Sequence, residues 1–191
     1  MSEEKNKKRI AVYGGSFNPP HICHQITVLY LLESGLCDEV WLVPVYRHAF
    51  GKPGAPYDVR HALCRALIEP FGERARVSGI EKELGGDSRT VDTLAELARR
   101  HPDCRFKLVL GSDIRTETAR WKQFERIPEL AEIVWIGRFG REAQPGDALT
   151  LPDISSTDIR DRLRQNLPLH GLVPERVLKA WKELGSPSFE G

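Results

Sequence analysis

The chain has 191 residues and sets 28 Lys and Arg against 27 Asp and Glu, for a formal charge of +1. That length supports one domain whose core needs neither disulfides nor a structural metal. The balanced charge excludes a global field that gathers nucleic acid or anionic membrane.

The opening "MSEEKNKKR" reads as a solvated basic tail over residues 1–7, since no signal-peptide core follows it. No apolar run approaches the roughly 18 residues of a membrane helix. Cys23, Cys37, Cys64 and Cys104 form no C-x-x-C pair, which argues against a zinc knuckle and for a reducing compartment. A cytoplasmic protein is expected.

"RIAVYGG" predicts a first strand ending in glycines, and "HQITVLYLLESG" a helix stopped by Gly35. "DEVWLVPV" is apolar throughout, as a strand covered on both faces should be. The loop "YRHAFGKPGAP" leads into the helix "YDVRHALCRALIEPFG", in which Arg60 is expected to be a surface charge. A short strand at "ARVSGI" precedes the helix "TVDTLAELARR". The strand "FKLVLG" is followed by a helical stretch through Trp121 and Phe124. "EIVWIGR" and "DALTLPD" are the last strands. "SSTDIRDRLRQN" and "PERVLKAWKELG" are terminal helices, the second with Pro174 in its first turn. Residues 8–185 are read as one domain and 186–191 as a tail.

Strand–helix alternation predicts an α/β fold: a Rossmann-like, doubly wound parallel sheet with C-terminal helices. Ligands of such sheets bind beyond the carboxyl ends of the strands. Residues 14–24, 45–52 and 111–113 and the turn before Ser155 are therefore the candidates.

In "GGSFNPPHICH", residues 14–24, Gly14 and Gly15 allow backbone to approach a ligand, and the next helix start favours an anion. His21 and His24, three apart, share one helix face, where imidazolium groups could hold phosphate oxygens. Three ligands within four consecutive positions cannot face one metal ion on a regular helix. Cys23 is read as a packing residue rather than a nucleophile.

This stretch resembles the G-G-[ST]-F-[DN]-P-x-H-x-G-H signature of nucleotidyltransferases related to class I aminoacyl-tRNA synthetases, with Cys23 where glycine is usual. "ISSTDIR", residues 154–160 and more than 130 positions downstream, resembles their I-S-S-[ST]-x-I-R. By its residues alone it is a helix start capped by serine with an arginine one turn in. "SRTVDTL" and "LGSDIRTETARW" are similar to segments of the nicotinate-mononucleotide adenylyltransferases, with Arg89 in place of a tyrosine. "LVPERVLKAWKEL" looks like their closing helix.

The resemblance implies adenylyl transfer from ATP to nicotinate mononucleotide, with Mg²⁺ carried by the nucleotide rather than held in a protein-built cage. It implies catalytic roles for His21, His24 and Arg160. Gly14, Gly15, Ser16, Phe17, Lys52, Gly111, Asp113, Ile154, Ser155 and Ser156 would bind ATP, and Thr90 and Trp121 the pyridine nucleotide. On the residues alone, Thr90 is also a candidate helix cap and Trp121 a candidate core residue. Lys52 lies in a loop that lacks the family's P-P-H-K, offering Arg47 and His48 instead. Other acceptors remain open: nicotinamide mononucleotide, phosphopantetheine, or a small phosphate taking CMP. So does a non-catalytic nucleotide sensor, if Cys23 obstructs the phosphates.

Overall fold

A computed structural model describes residues 7–47, 54–87, 89–139 and 146–190. Six strands, β1 (Lys8–Gly15), β2 (Glu39–Pro44), β3 (Ala75–Val77), β4 (Cys104–Gly111), β5 (Ala131–Arg138) and β6 (Asp147–Leu151), form one sheet in the order β3-β2-β1-β4-β5-β6. Every neighbouring pair is parallel. The expected doubly wound sheet is present, with its order reversing between β1 and β4.

Alternate strand residues feed two cores. Ala11, Val40, Leu42 and Val109 face a layer containing helices α1 (Ile22–Glu33) and α2 (Tyr57–Ile68). Helices α6 (Ser156–Arg164) and α7 (Glu175–Glu183) pack into the same layer through Ile159 and Val177. Ile10, Val12, Val43, Leu108 and Leu110 face the other layer, built from α3 (Ile80–Leu84), α4 (Thr90–Arg100) and α5 (Ile127–Leu130). Because side chains alternate across a pleat, these near-continuous apolar runs are what a sheet covered on both sides requires. No helix among the described residues is long and apolar enough to cross a membrane.

Four local expectations are corrected. The stretch through Trp121 is a 3-10 segment, Ser112–Arg120, after which Trp121 is extended (φ −79°, ψ 143°). The Thr118 hydroxyl donates to the Arg115 carbonyl at 2.7 Å, a local bond that competes with regular helix. Pro174 caps α7 from outside, its ψ of 139° being extended rather than helical. Arg60 is 7 % exposed, not a surface charge. Phe189, in the stretch expected to be a tail, is buried against α7. Residues 1–6 of the basic tail lie outside the described residues.

Candidate active site

The site lies where β1 and β4 send their connections to opposite faces of the sheet. At the carboxyl end of β1, Gly14 within the strand and Ser16 just past it are exposed. A Cβ on Gly14 would meet nothing within 4 Å, so that position opens onto free space. A Cβ on Gly15 would come within 3.2 Å of the Phe17 ring, which packs beneath the turn. Phe17 has φ 47°, in the left-handed region, and is 2 % exposed. Its ring meets His24 edge-on at 4.9 Å, so only its backbone borders the open space.

His21 is the residue before α1 and His24 lies in its first turn, their ring centroids 3.8 Å apart. The His21 N–H donates to His24 Nδ1 at 3.0 Å. His24 Nδ1 therefore carries no proton, and Nε2 is the donor. Burial, with the charge of Arg138 adding, brings His21 down to about 3. Burial, then His21 and Arg138, holds His24 well below the usual histidine range. The imidazolium expectation is corrected: burial favours the neutral form of both rings, and the positive charge beside them is a guanidinium's.

Arg138, the last residue of β5, supplies it. Its guanidinium lies 3.9 Å from Asp113 and 3.8 Å from Asp153, both longer than hydrogen bonds. Among the described residues it makes no closer polar contact. Asp113 folds back over Gly111, where an added Cβ would lie 2.3 Å from its Oδ1. That close approach is why glycine ends β4.

The second motif closes on the first. The Ser156 hydroxyl donates to the Pro19 carbonyl at 2.9 Å. Arg160 Nη1 donates to the Asn18 carbonyl at 2.8 Å, and Nη2 to Thr157 Oγ1 at 3.1 Å. Ser155 caps α6, accepting from the Asp158 N–H at 3.2 Å, while its own N–H and hydroxyl donate to the Asp158 carboxylate at 2.8 and 2.6 Å. The next first-turn N–H groups have no acceptor within the helix. Ile154 precedes the cap and packs partly against the α1 core. The Cys23 thiol donates to the Pro152 carbonyl at 3.6 Å, and burial raises its pKa. A raised pKa suits the packing reading and not a nucleophile.

Thr90 is the first residue of α4, behind Arg89, and its hydroxyl does not cap the helix. Trp121 packs partly into the same core, edge-on to Phe124 at 6.0 Å. Lys122 holds both carboxylate oxygens of Asp92, at 3.0 and 2.9 Å, which brings the Trp121 turn to the start of α4. Arg115 pairs with the buried Asp147 at 2.7 Å and fixes the 3-10 segment to β6. Lys52 and His48 lie outside the described residues. Among the described residues, no group of three or more His, Cys, Asp and Glu could hold a metal ion. Asp113 and Asp153 lie beside Arg138, and Asp158 is engaged by Ser155.

Sequence reasoning missed three positioning groups. Arg138 ends the predicted strand "EIVWIGR", so the rule of looking just past strands would have found it. Arg60 donates to the carbonyls of Ala55, Ser16 and Val45 at 2.9, 2.9 and 2.7 Å, tying both ends of the β2–α2 connection to the β1–α1 turn. Asn18 binds the Ala55 N–H and the Phe189 carbonyl. Asn18 fills the [DN] place of the quoted signature, but its bonds to Ala55 and Phe189, and that of Arg60 to Ser16, join positions 37 to 171 apart and are not legible in local sequence.

A family model described as Cytidylyltransferase-like matches residues 12–162. A protein of Anaeromyxobacter dehalogenans named probable nicotinate-nucleotide adenylyltransferase is 46 % identical over 90 % of this chain and 92 % of its own. A Myxococcus xanthus protein of the same name is 41 % identical over 93 % of each. A similar solved structure is the Plasmodium falciparum nicotinic acid mononucleotide adenylyltransferase complexed with NaAD. It has TM-score 0.79 and 19 % identity, and the match covers 93 % of this chain and 96 % of that one.

Proposed function

The chain belongs to the cytidylyltransferase-like family, and from that membership we propose that it transfers AMP from ATP to nicotinate mononucleotide. The products are the deamido dinucleotide and pyrophosphate. What carries the reading is the 46 % identity, across 90 % of the chain, to the Anaeromyxobacter dehalogenans protein named probable nicotinate-nucleotide adenylyltransferase. The junction of the histidine turn with α6 supports it. We read one nucleotidyltransferase domain from residue 8 through the packed segment ending at 190, working in the cytoplasm.

The acceptor phosphate attacks the α-phosphorus of ATP in line, forming an O–P bond as the α–β bridge breaks and pyrophosphate leaves. A phosphate nucleophile is already ionised, so no general base is required. The work is positioning and charge stabilisation. His24, with His21 orienting it, donates from Nε2 to the α-phosphoryl oxygens. Arg138 adds the positive charge that the histidines lack. The backbone of Gly14, Gly15, Ser16 and Phe17 lines the path of the phosphates. Ser155, Ser156 and the first turn of α6 receive the β- and γ-phosphates, with Arg160 above them and Lys52 from the rim. Ile154 and the Gly111–Asp113 turn border the adenosine, and Thr90 and Trp121 take the nicotinate, a flat indole stacking on a flat ring. Mg²⁺ enters as part of the Mg·ATP substrate; among the described residues, Asp113 and Asp153 lie beside Arg138 and Asp158 is engaged by Ser155.

Pyrophosphate release from Mg·ATP, measured with nicotinate mononucleotide, nicotinamide mononucleotide, phosphopantetheine and glycerol phosphate in turn, tests the reading. Release is expected with the first and much less with the rest. ATP binding with no release for any acceptor would favour the sensor.

A further inference from the structure

Beyond α7 the chain reverses through Gly185 (φ 82°) and Ser186 (φ 53°), and residues 186–190 run back to Asn18 in the turn before the histidines. Trp181 Nε1 donates to the Pro187 carbonyl at 3.0 Å, and the Phe189 ring stacks on Trp181 at 5.6 Å. Phe189 is 5 % exposed, in an apolar niche it shares with Pro19, Leu63, Ile159 and Val177. Glu190 pairs with Arg164 of α6 at 2.6 Å.

The carbonyl of this buried phenylalanine accepts from Asn18 Nδ2 at 2.8 Å. Asn18 is 5 % exposed, and its Oδ1 accepts from the Ala55 N–H at 3.0 Å. Its own carbonyl receives Arg160, and the next carbonyl, on Pro19, receives Ser156. A buried amide left without an acceptor would turn to find one. Turning it would move the two carbonyls that hold Arg160 and Ser156 in place.

We propose that residues 186–190 are a strap that positions the active site, with Phe189 as its anchor and Asn18 as the link to Arg160 and Ser156. This rests on the adenylyl-transfer reading for the identity of the site. The strap touches no reacting atom, so Phe189 is a positioning residue. Its signature is a loss of nucleotide affinity transmitted through Asn18.

The test measures binding of α,β-methylene ATP, which cannot react, beside turnover with nicotinate mononucleotide. The variants are Phe189→Ala, Phe189→Leu, Asn18→Ala and the Asn18→Ala/Phe189→Ala pair, each checked for folding by its thermal transition. Phe189→Ala is expected to weaken analogue binding about tenfold, the scale of one lost polar contact with its neighbours displaced. Phe189→Leu refills the niche and should stay within about threefold of the parent protein. In the double variant Phe189→Ala should add almost nothing to Asn18→Ala, because coupled residues are non-additive. Glu190→Arg, which repels Arg164 without opening the core, should weaken binding about threefold and covers the case in which Phe189→Ala does not fold. Parent-like affinity in folded Phe189→Ala, or in Glu190→Arg should it be needed, overturns the strap, as do effects that simply multiply in the pair. If the parent protein fails to turn over but analogue binding follows this pattern, the acceptor reading falls and the strap stands. If the parent turns over and the variants bind the analogue as it does, the strap falls and the acceptor reading stands.

Discussion

The Ser156 hydroxyl donates to the Pro19 carbonyl at 2.9 Å, joining residues 137 positions apart. With Arg160 on the Asn18 carbonyl, this bond makes one site of two motifs. Removing it by Ser156→Ala should raise the KM for ATP about three- to tenfold, the size of a single neutral hydrogen bond. The thermal midpoint should fall by only a few degrees, about what 1 kcal/mol costs a domain of this size. Steady-state kinetics and a melting curve check both.

Arg138 stands between Asp113 and Asp153 at 3.9 and 3.8 Å, within reach of both without a close bond to either. Its substitution by methionine should lower kcat about a hundred- to a thousandfold, as for loss of a donor aimed at developing charge. Lysine should recover part of that. In the methionine variant both histidines should also titrate at higher pH by NMR, since the Arg138 charge is one cause holding each down.

The histidine pair gives a pH dependence of stability with a definite sign. An imidazole held below its unfolded value of about 6.5 favours the folded state most when it is neutral. This contribution is fully present above the unfolded pKa and is lost as pH falls toward His21's folded value of about 3. Urea midpoints measured at falling pH from 8 should therefore drop once pH passes below the unfolded value. His21→Asn should flatten part of that drop.

Arg60 serves three carbonyls, those of Ser16, Val45 and Ala55, from a buried position. Arg60→Met leaves all three without their donor and should cost about 2–4 kcal/mol of stability. Arg60→Lys should recover only a fraction, because a compact ammonium cannot span three divergent acceptors. Denaturant titration separates the three proteins.

Cys23 stands where the family signature has glycine, yet its thiol is buried against the Pro152 carbonyl. Cys23→Gly should cost about 1–2 kcal/mol, from lost burial and a glycine inside α1. It should not raise kcat. A rise of tenfold or more would mean that the sulfur obstructs the phosphates.

What was legible in the sequence was periodic or local. Near-continuous apolar runs announced the six strands, and "GGSFNPPHICH" and "ISSTDIR" announced the two halves of the site. The protonation of the histidines was not legible, because it depends on burial and on Arg138, more than a hundred positions away. Nor was the role of Arg60, whose helix pattern suits a surface charge until two connections converge on it. The burial of Phe189 is not legible because a single aromatic after a glycine turn carries no period, and its place is made by residues distant in sequence such as Asn18, Leu63 and Ile159. The 3-10 segment before Trp121 was hidden by helix-compatible composition, which the Thr118 back-bond overrides.

The most direct test is pyrophosphate release from saturating Mg·ATP and nicotinate mononucleotide by the parent protein and by His24→Ala, both confirmed folded. The account predicts turnover in the parent and a kcat about two to four decades lower in the variant, the scale of a lost transition-state donor. Near-normal turnover in His24→Ala would contradict the role given to the histidine pair. No release by the parent would contradict the function itself.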